Sequence, residues 1–136
     1  MLRNTCSADS VIACNSSVGG NFGLFRMDDD VNYMTSCSTN AATAPEDVFS
    51  FVPTNTGTAS IELDVDFDAF LFGDDMDLYV LEGGCHQQTC IGTADSDGDD
   101  QLSVQVTAGV PYYIVVEMEK YGFPFDGDYT LTLTCP

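Results

Sequence analysis

Residues 95–100 read Asp95-Ser96-Asp97-Gly98-Asp99-Asp100, carboxylates bracketing a glycine within one short turn. Calcium takes roughly six to eight oxygen ligands, and alternating carboxylates around a flexible glycine can wrap it. Asp95, Asp97, Asp99 and Asp100 are the expected ligands. The spacing begins like an EF-hand loop, but the closing glutamate is absent: its position is Val106. No helical pattern flanks the loop. The competing reading is a solvated hairpin tip, where Asp and Gly are common in any case.

A second acidic cluster combines Asp64, Asp66 and Asp68 with the run Gly73-Asp74-Asp75-Met76-Asp77. Residues two apart on a strand share a face at roughly 6.5–7 Å spacing. Carboxylates so placed repel one another unless cations intervene. Asp64, Asp66, Asp75 and Asp77 are the candidate ligands here, and capping of loop amides is the alternative role.

Other chemistry finds little support. Carboxylate pairs could serve a glycosidase, but among 22 acidic residues some pair always lies at a suitable distance. His86 is the sole histidine, inside a short loop between two cysteines. No Gly-x-Ser-x-Gly elbow, His-Glu-x-x-His pair, phosphate-binding glycine loop or dinucleotide fingerprint is present. The expectation is that the chain is not an enzyme. Tyr121-Gly122-Phe123-Pro124-Phe125 sets three aromatics in a Gly/Pro loop. Exposed aromatics stack on sugar rings or peptide side chains. Tyr121, Phe123 and Phe125 are therefore the candidate ligand-binding residues, and a plug in the end of the fold is the plainer alternative. The lack of tryptophan weakens a flat polysaccharide platform.

The elements that must position these residues are strands. Apolar residues recur with period two in short runs separated by Gly, Pro, Asn and Asp. Ile61, Leu63, Val65 and Phe67 alternate with Glu62, Asp64, Asp66 and Asp68. Leu102, Val104 and Val106 alternate with glutamine and serine, and Tyr129, Leu131, Leu133 and Cys135 with threonine. Residues 112–116 are apolar on both faces, as in a central strand. Ala108-Gly109-Val110-Pro111 is a tight turn. The first 45 residues are less regular: an edge strand over 11–14, a turn at Gly19-Gly20-Asn21, a strand over 22–27 and a polar loop over 38–45 are expected. Seven to nine short strands imply an all-β antiparallel sandwich of jelly-roll type, stabilised by disulfides.

The chain has 136 residues, one domain by the usual size prior, with 22 Asp and Glu against three Lys and Arg and a net charge of −19. Such a surface repels phosphate backbones and anionic lipid headgroups, so neither nucleic acid nor membrane is an expected partner. The acidity also serves solubility. No segment approaches the roughly 18 consecutive apolar residues of a membrane-spanning helix. Six cysteines without a zinc-type pattern imply paired disulfides and an oxidising compartment, secreted or at the cell surface. Cys85 and Cys90 enclose a short loop that closes easily. Cys6, Cys14, Cys37 and Cys135 allow three connectivities; Cys6–Cys135 with Cys14–Cys37 is the favoured one. Met1-Leu2-Arg3 has no leader-like apolar run behind it. With disulfides expected, the chain reads as an excised domain or a mature fragment with an added start methionine.

The succession Asp47-Val48-Phe49-Ser50-Phe51, Asp75-Met76-Asp77-Leu78-Tyr79-Val80, Ala108-Gly109-Val110-Pro111-Tyr112-Tyr113-Ile114-Val115-Val116 and Gly127-Asp128-Tyr129-Thr130-Leu131-Thr132-Leu133 resembles the bacterial pre-peptidase C-terminal domain family. The resemblance runs over residues 47–135. It implies a small β-sandwich appended to secreted hydrolases and other exported proteins. It also implies a core over 46–136, with 1–45 as a disulfide-tied elaboration. An aspartate just before the Leu-Tyr-Val strand recurs in that family, and Asp75 and Asp77 occupy its neighbourhood. The implied role is that of a non-catalytic accessory module, calcium-stabilised, aiding export, stability or attachment of a parent secreted protein to insoluble polysaccharide or fibrous protein. The alternatives are a self-assembling cell-surface or filament module joined by metal-bridged acidic faces, and a carboxylate-only glycosidase.

Overall fold

The computed structural model describes residues 8–22, 46–66, 75–84, 89–94, 99–119 and 127–136. Among them nine strands run in chain order: β1 (Ser10–Val11), β2 (Ser16–Phe22), β3 (Glu46–Phe51), β4 (Gly57–Asp66), β5 (Asp75–Glu82), β6 (Cys90–Ala94), β7 (Asp100–Val106), β8 (Tyr112–Glu119) and β9 (Gly127–Thr134). They form a five-stranded sheet, β1-β3-β8-β5-β6, and a four-stranded sheet, β2-β9-β4-β7. All neighbours are antiparallel except the short parallel pair β1 and β3. The expected all-β, disulfide-bonded sandwich is what the chain forms.

Alternation builds the core. Phe49, Phe51, Leu78, Val80, Tyr112, Ile114 and Val116 point inward from the five-stranded sheet. Ala59, Ile61, Leu63, Val104, Val106, Tyr129, Leu131 and Leu133 meet them from the other, in one buried cluster. Each fully buried Leu or Ile contributes about 1.5–3 kcal/mol relative to exposure. Phe51 and Tyr112 stack with ring centroids 5.4 Å apart. The apolar run at 112–116 is the middle strand of its sheet, as its two-faced pattern implied.

One end of the sandwich is held by turn chemistry. Gly109 takes φ +79° in the anticipated turn, a left-handed conformation that suits glycine. The Gly109 amide donates to the Pro53 carbonyl at 2.9 Å, and the Ala108 amide to Thr56 Oγ1 at 3.0 Å. The buried Tyr112 hydroxyl accepts the Thr107 amide at 2.7 Å. That bond anchors the crossing from β7 to β8 as a tyrosine corner does.

The N-terminal region departs from expectation. Gly19-Gly20-Asn21 is not a turn but the middle of β2, paired rung for rung with β9. Gly20 is required there, because a Cβ would overlap the phenol ring of Tyr129. The first edge strand covers Ser10–Val11 rather than 11–14, and Ile12 enters the core. Positions 23–27 and 38–45 lie outside the described residues. The favoured cysteine pairing is also corrected: Cys14 bonds Cys135, with Cα atoms 5.4 Å apart. The reason is register. Continuing the β2–β9 ladder two rungs beyond Ser16↔Leu133 sets Cys14 opposite Cys135. Asn15, at φ +60°, turns the chain between them, and its Oδ1 accepts the Cys135 amide at 3.1 Å. Cys6–Cys135 and Cys14–Cys37 are thereby excluded. Cys90 is disulfide-bonded, while Cys85, Cys6 and Cys37 lie outside the described residues.

Candidate functional site: the acidic end of the sandwich

The ladder registers collect carboxylates at one end. Leu63 pairs with Asp100, Asp64 with Thr130 and Asp66 with Asp128 in the four-stranded sheet. Asp75 pairs with Glu119, Asp77 with Glu117, and Glu117 with Glu46 in the five-stranded one. At the opposite end, segments 12–15, 52–56 and 107–111 carry no charged side chain, and Glu82, paired with Tyr112, adds a single exposed carboxylate. Among the described residues carboxylates are therefore denser at the first end.

The two acidic clusters read from sequence regroup. Asp99, from the 95–100 run, is exposed, and its Oδ1 accepts the Val65 amide at 2.8 Å, tying the start of β7 to the end of β4. Asp100 is 5% exposed, on the inward side of β7. This brings Asp99 and Asp100 beside the end of β4 that carries Asp64 and Asp66, two groups that the sequence left separate. Asp64 is exposed on the outward face of the four-stranded sheet. Asp77 is buried on the outward face of the five-stranded sheet, on the far side of the core. The structure thus does not bring Asp64 and Asp77 together. Asp95 and Asp97 lie outside the described residues, as do His86 and the aromatics Tyr121, Phe123 and Phe125. Among the described residues no three His, Cys, Asp or Glu side chains are arranged to hold a metal ion. Asp99 caps a strand amide, a role the sequence reading assigned as the alternative for the second cluster and not for this run.

Sequence reasoning passed over Glu46 and Glu117. Both are buried, at 0% and 1% exposure, in one cross-strand row with Asp77. Each of the three has a polar or electrostatic interaction. The available signal was alternation: Glu117 shares a face with Tyr113 and Val115, and Val115 is fully buried there. Two other carboxylates bind within the fold. Asp47 accepts the hydroxyl of the buried Tyr129 across the two sheets. Asp9 accepts the Val48 amide at 2.8 Å through its Oδ2 and donates its own amide to the Val48 carbonyl at 2.7 Å. Asp128 accepts from the Asn21 amide group.

No family model matches the sequence, and no curated protein matches it. Among solved structures, the pre-peptidase C-terminal domain of a collagenase from Bacillus anthracis aligns over 96% of this chain and 100% of that domain, with TM-score 0.58 and 16% identity. The chain has the fold of that domain, so the resemblance read from its strands holds at the level of architecture. A periplasmic inhibitor of g-type lysozyme from Aeromonas hydrophila aligns over 88% of this chain and 85% of its own, with TM-score 0.48 and 13% identity. A β-glucosidase from Paenibacillus barengoltzii aligns over 65% of this chain but 10% of its own, with TM-score 0.36 and 17% identity.

Proposed function

We propose that this chain is a non-catalytic accessory module of a secreted or cell-surface protein, stabilised by calcium, that supports the stability, export or substrate attachment of its parent. The observation that carries the reading is the end-to-end fold match to a collagenase pre-peptidase C-terminal domain. The Cys14–Cys135 disulfide supports an oxidising compartment. Concentration of carboxylates at one end supports a cation there, because unneutralised like charges at close range destabilise the native state. Asp64, Asp66 and Asp99, on the ends of β4 and β7 that the Val65–Asp99 hydrogen bond joins, are the foremost candidates, with Asp95, Asp97 and Asp100 as further candidates from the same run.

The test has three arms. No turnover is expected on glycoside, ester or peptide substrates; turnover abolished by one Asp or Glu substitution would refute the non-catalytic reading. Retention on insoluble polysaccharide or fibrous protein, removed by Tyr121→Ala with Phe123→Ala in a protein that still folds, supports attachment. Calcium should raise the melting temperature over chelator and over magnesium. At free calcium 100 times the dissociation constant the gain is about 2.7 kcal/mol. An unchanged melting temperature, with no heat on calcium titration, would leave the acidity as a solubility feature.

A further inference from the structure

We propose that the Cys14–Cys135 disulfide is a force-bearing clasp: tension between the chain on either side of the module runs through this one bond and bypasses the sandwich, which stays folded under load.

The covalent loop that the bond closes has a sequence separation of 121 and contains every strand from β2 to β9. β1 lies outside it. Chain that precedes Cys14 and chain that follows Cys135 are therefore joined across Cα atoms 5.4 Å apart, and the residues between form a side loop off that path. Entry and exit are held together by more than the bond. Asn15 turns the chain into β2 and accepts the Cys135 amide. Pro136, just past the clasp, lies against the start of β4: its carbonyl accepts Asn55 Nδ2 at 3.2 Å, and a Cβ at Gly57 would meet its Cβ at 2.8 Å.

The bond stands where such tension would otherwise open the fold. β2 and β9 are antiparallel neighbours, and Cys14 and Cys135 close one end of their ladder. Hydrogen bonds of an antiparallel pair run across the strands. A pull that separates residue 14 from residue 135 thus acts along those bonds and falls on the outermost rung first. Without a covalent stop the ladder opens one rung at a time, from Ser16↔Leu133 towards Phe22↔Gly127. A pull that slid the strands past each other would load all the rungs at once. The same opening drags on β9, the strand between β2 and β4, whose Tyr129, Leu131 and Leu133 are core residues. A bond at the fork stops this before the first rung is loaded.

β1 is the contrast, because it sits on the entry side of the clasp. The Asp9 amide donates to the Val48 carbonyl at 2.7 Å, the Val48 amide to Asp9 Oδ2 at 2.8 Å and the Ile12 amide to the Ser50 carbonyl at 2.9 Å. Under tension this latch gives way first, with a short extension, and the load then reaches Cys14.

The inference rests on the attachment reading only for the source of the load, a parent protein held to a solid. Its test needs neither substrate nor calcium, so loss of that reading leaves it decidable. The experiment is single-molecule force spectroscopy on the intact oxidised chain, flanked by handle domains of known unfolding length. The oxidised chain should show the short entry extension and no long step while the handles unfold. Dithiothreitol is then added under constant load. Its thiolate attacks one sulfur of the loaded bond, and the other cysteine leaves as thiolate. A long step should follow, at most roughly 400 Å for a separation of 121 residues at about 3.3–3.6 Å each. Cys14→Ser with Cys135→Ser, shown by circular dichroism to keep the parent fold, should give a long step without reductant. The reductant arm decides the matter on the parent chain even where that variant does not fold. A long step in the oxidised parent without reductant would overturn the proposal. So would dithiothreitol that leaves the loaded chain at its oxidised length.

Discussion

The two outward faces of this sandwich obey different rules. On the four-stranded sheet, Ser17, Gly19 and Asn21 of β2, Thr130, Thr132 and Thr134 of β9, Thr58, Glu62 and Asp64 of β4, and Gln101, Ser103 and Gln105 of β7 make a hydroxyl- and amide-rich surface. Their hydrogen bonds are lateral and local: Ser17 Oγ with Thr132 Oγ1 at 2.8 Å, Gln105 Nε2 to Thr58 Oγ1 at 2.7 Å. On the five-stranded sheet the equivalent positions are Val48, Val115, Tyr79 and Leu81, all buried, with Ala8, Cys90 and Tyr113 packed against them. Beyond these come Glu46, Glu117 and Asp77, also buried. One face has the alternation of a half-solvated sheet, and the other is a second core. A carboxylate therefore means different things on the two faces. Glu62 and Asp64 are solvated charges, whereas Glu117 is a buried group whose partners matter.

The contrast can be broken by mutation. The largest effect is expected at Leu81. If the outward face of the five-stranded sheet is core, Leu81→Ala costs about 2–5 kcal/mol in denaturant unfolding, as for any buried leucine. Thr130→Ala, on the opposite face, should stay within about 0.5 kcal/mol. Equal small losses at both would dissolve the distinction.

Cys14→Ser with Cys135→Ser should cost about 2–5 kcal/mol, read from melting under non-reducing conditions. The clip ties β2 to β9, so amide exchange should rise first in β2. Protection that falls uniformly along the chain would show that the clip acts on the unfolded state alone.

Adjacent glycines of β2 give a smaller, sharper contrast. Gly20→Ala forces a methyl into the Tyr129 ring, which is buried and bonded to Asp47. Overpacking of this kind costs about 1–3 kcal/mol. Gly19→Ala, whose Cβ would meet the Tyr129 carbonyl at an ordinary 3.8 Å, should be neutral or stabilising by about 0.5–1 kcal/mol. Identical responses would mean that the strand does not hold the register described.

The smallest expected effect is at Glu62→Gln, within about 0.5 kcal/mol. Glu117→Gln, one rung of a buried polar row, should cost about 1–3 kcal/mol by disturbing the interactions of that buried side chain. A null result at Glu117 would place it with the solvated carboxylates.

Strand positions were legible wherever alternation was strict. β4, β7 and β9 carry period-two apolar patterns, and β8 reads as central because both of its faces are apolar. β2 was hidden because Ser16-Ser17-Val18-Gly19-Gly20-Asn21 contains the vocabulary of a turn. Its strand conformation comes from pairing with β9, more than 100 residues away, and its glycine from the ring of Tyr129. β6 was missed because Cys90-Ile91-Gly92-Thr93-Ala94 is too short and mixed to show a period.

Sequence alone determined the acidity and the all-β class, because these depend on residue counts and on local alternation. The tertiary structure alone decided which cysteines meet, since Cys14 and Cys135 face each other only once β2 lies beside β9. It decided that Asp64 and Asp77, similar in sequence setting, stand on opposite sides of the core. It also decided that Glu46, Glu117 and Asp77 form one buried row. Strand order is set by long-range burial, and no local pattern encodes which strand becomes the neighbour of which.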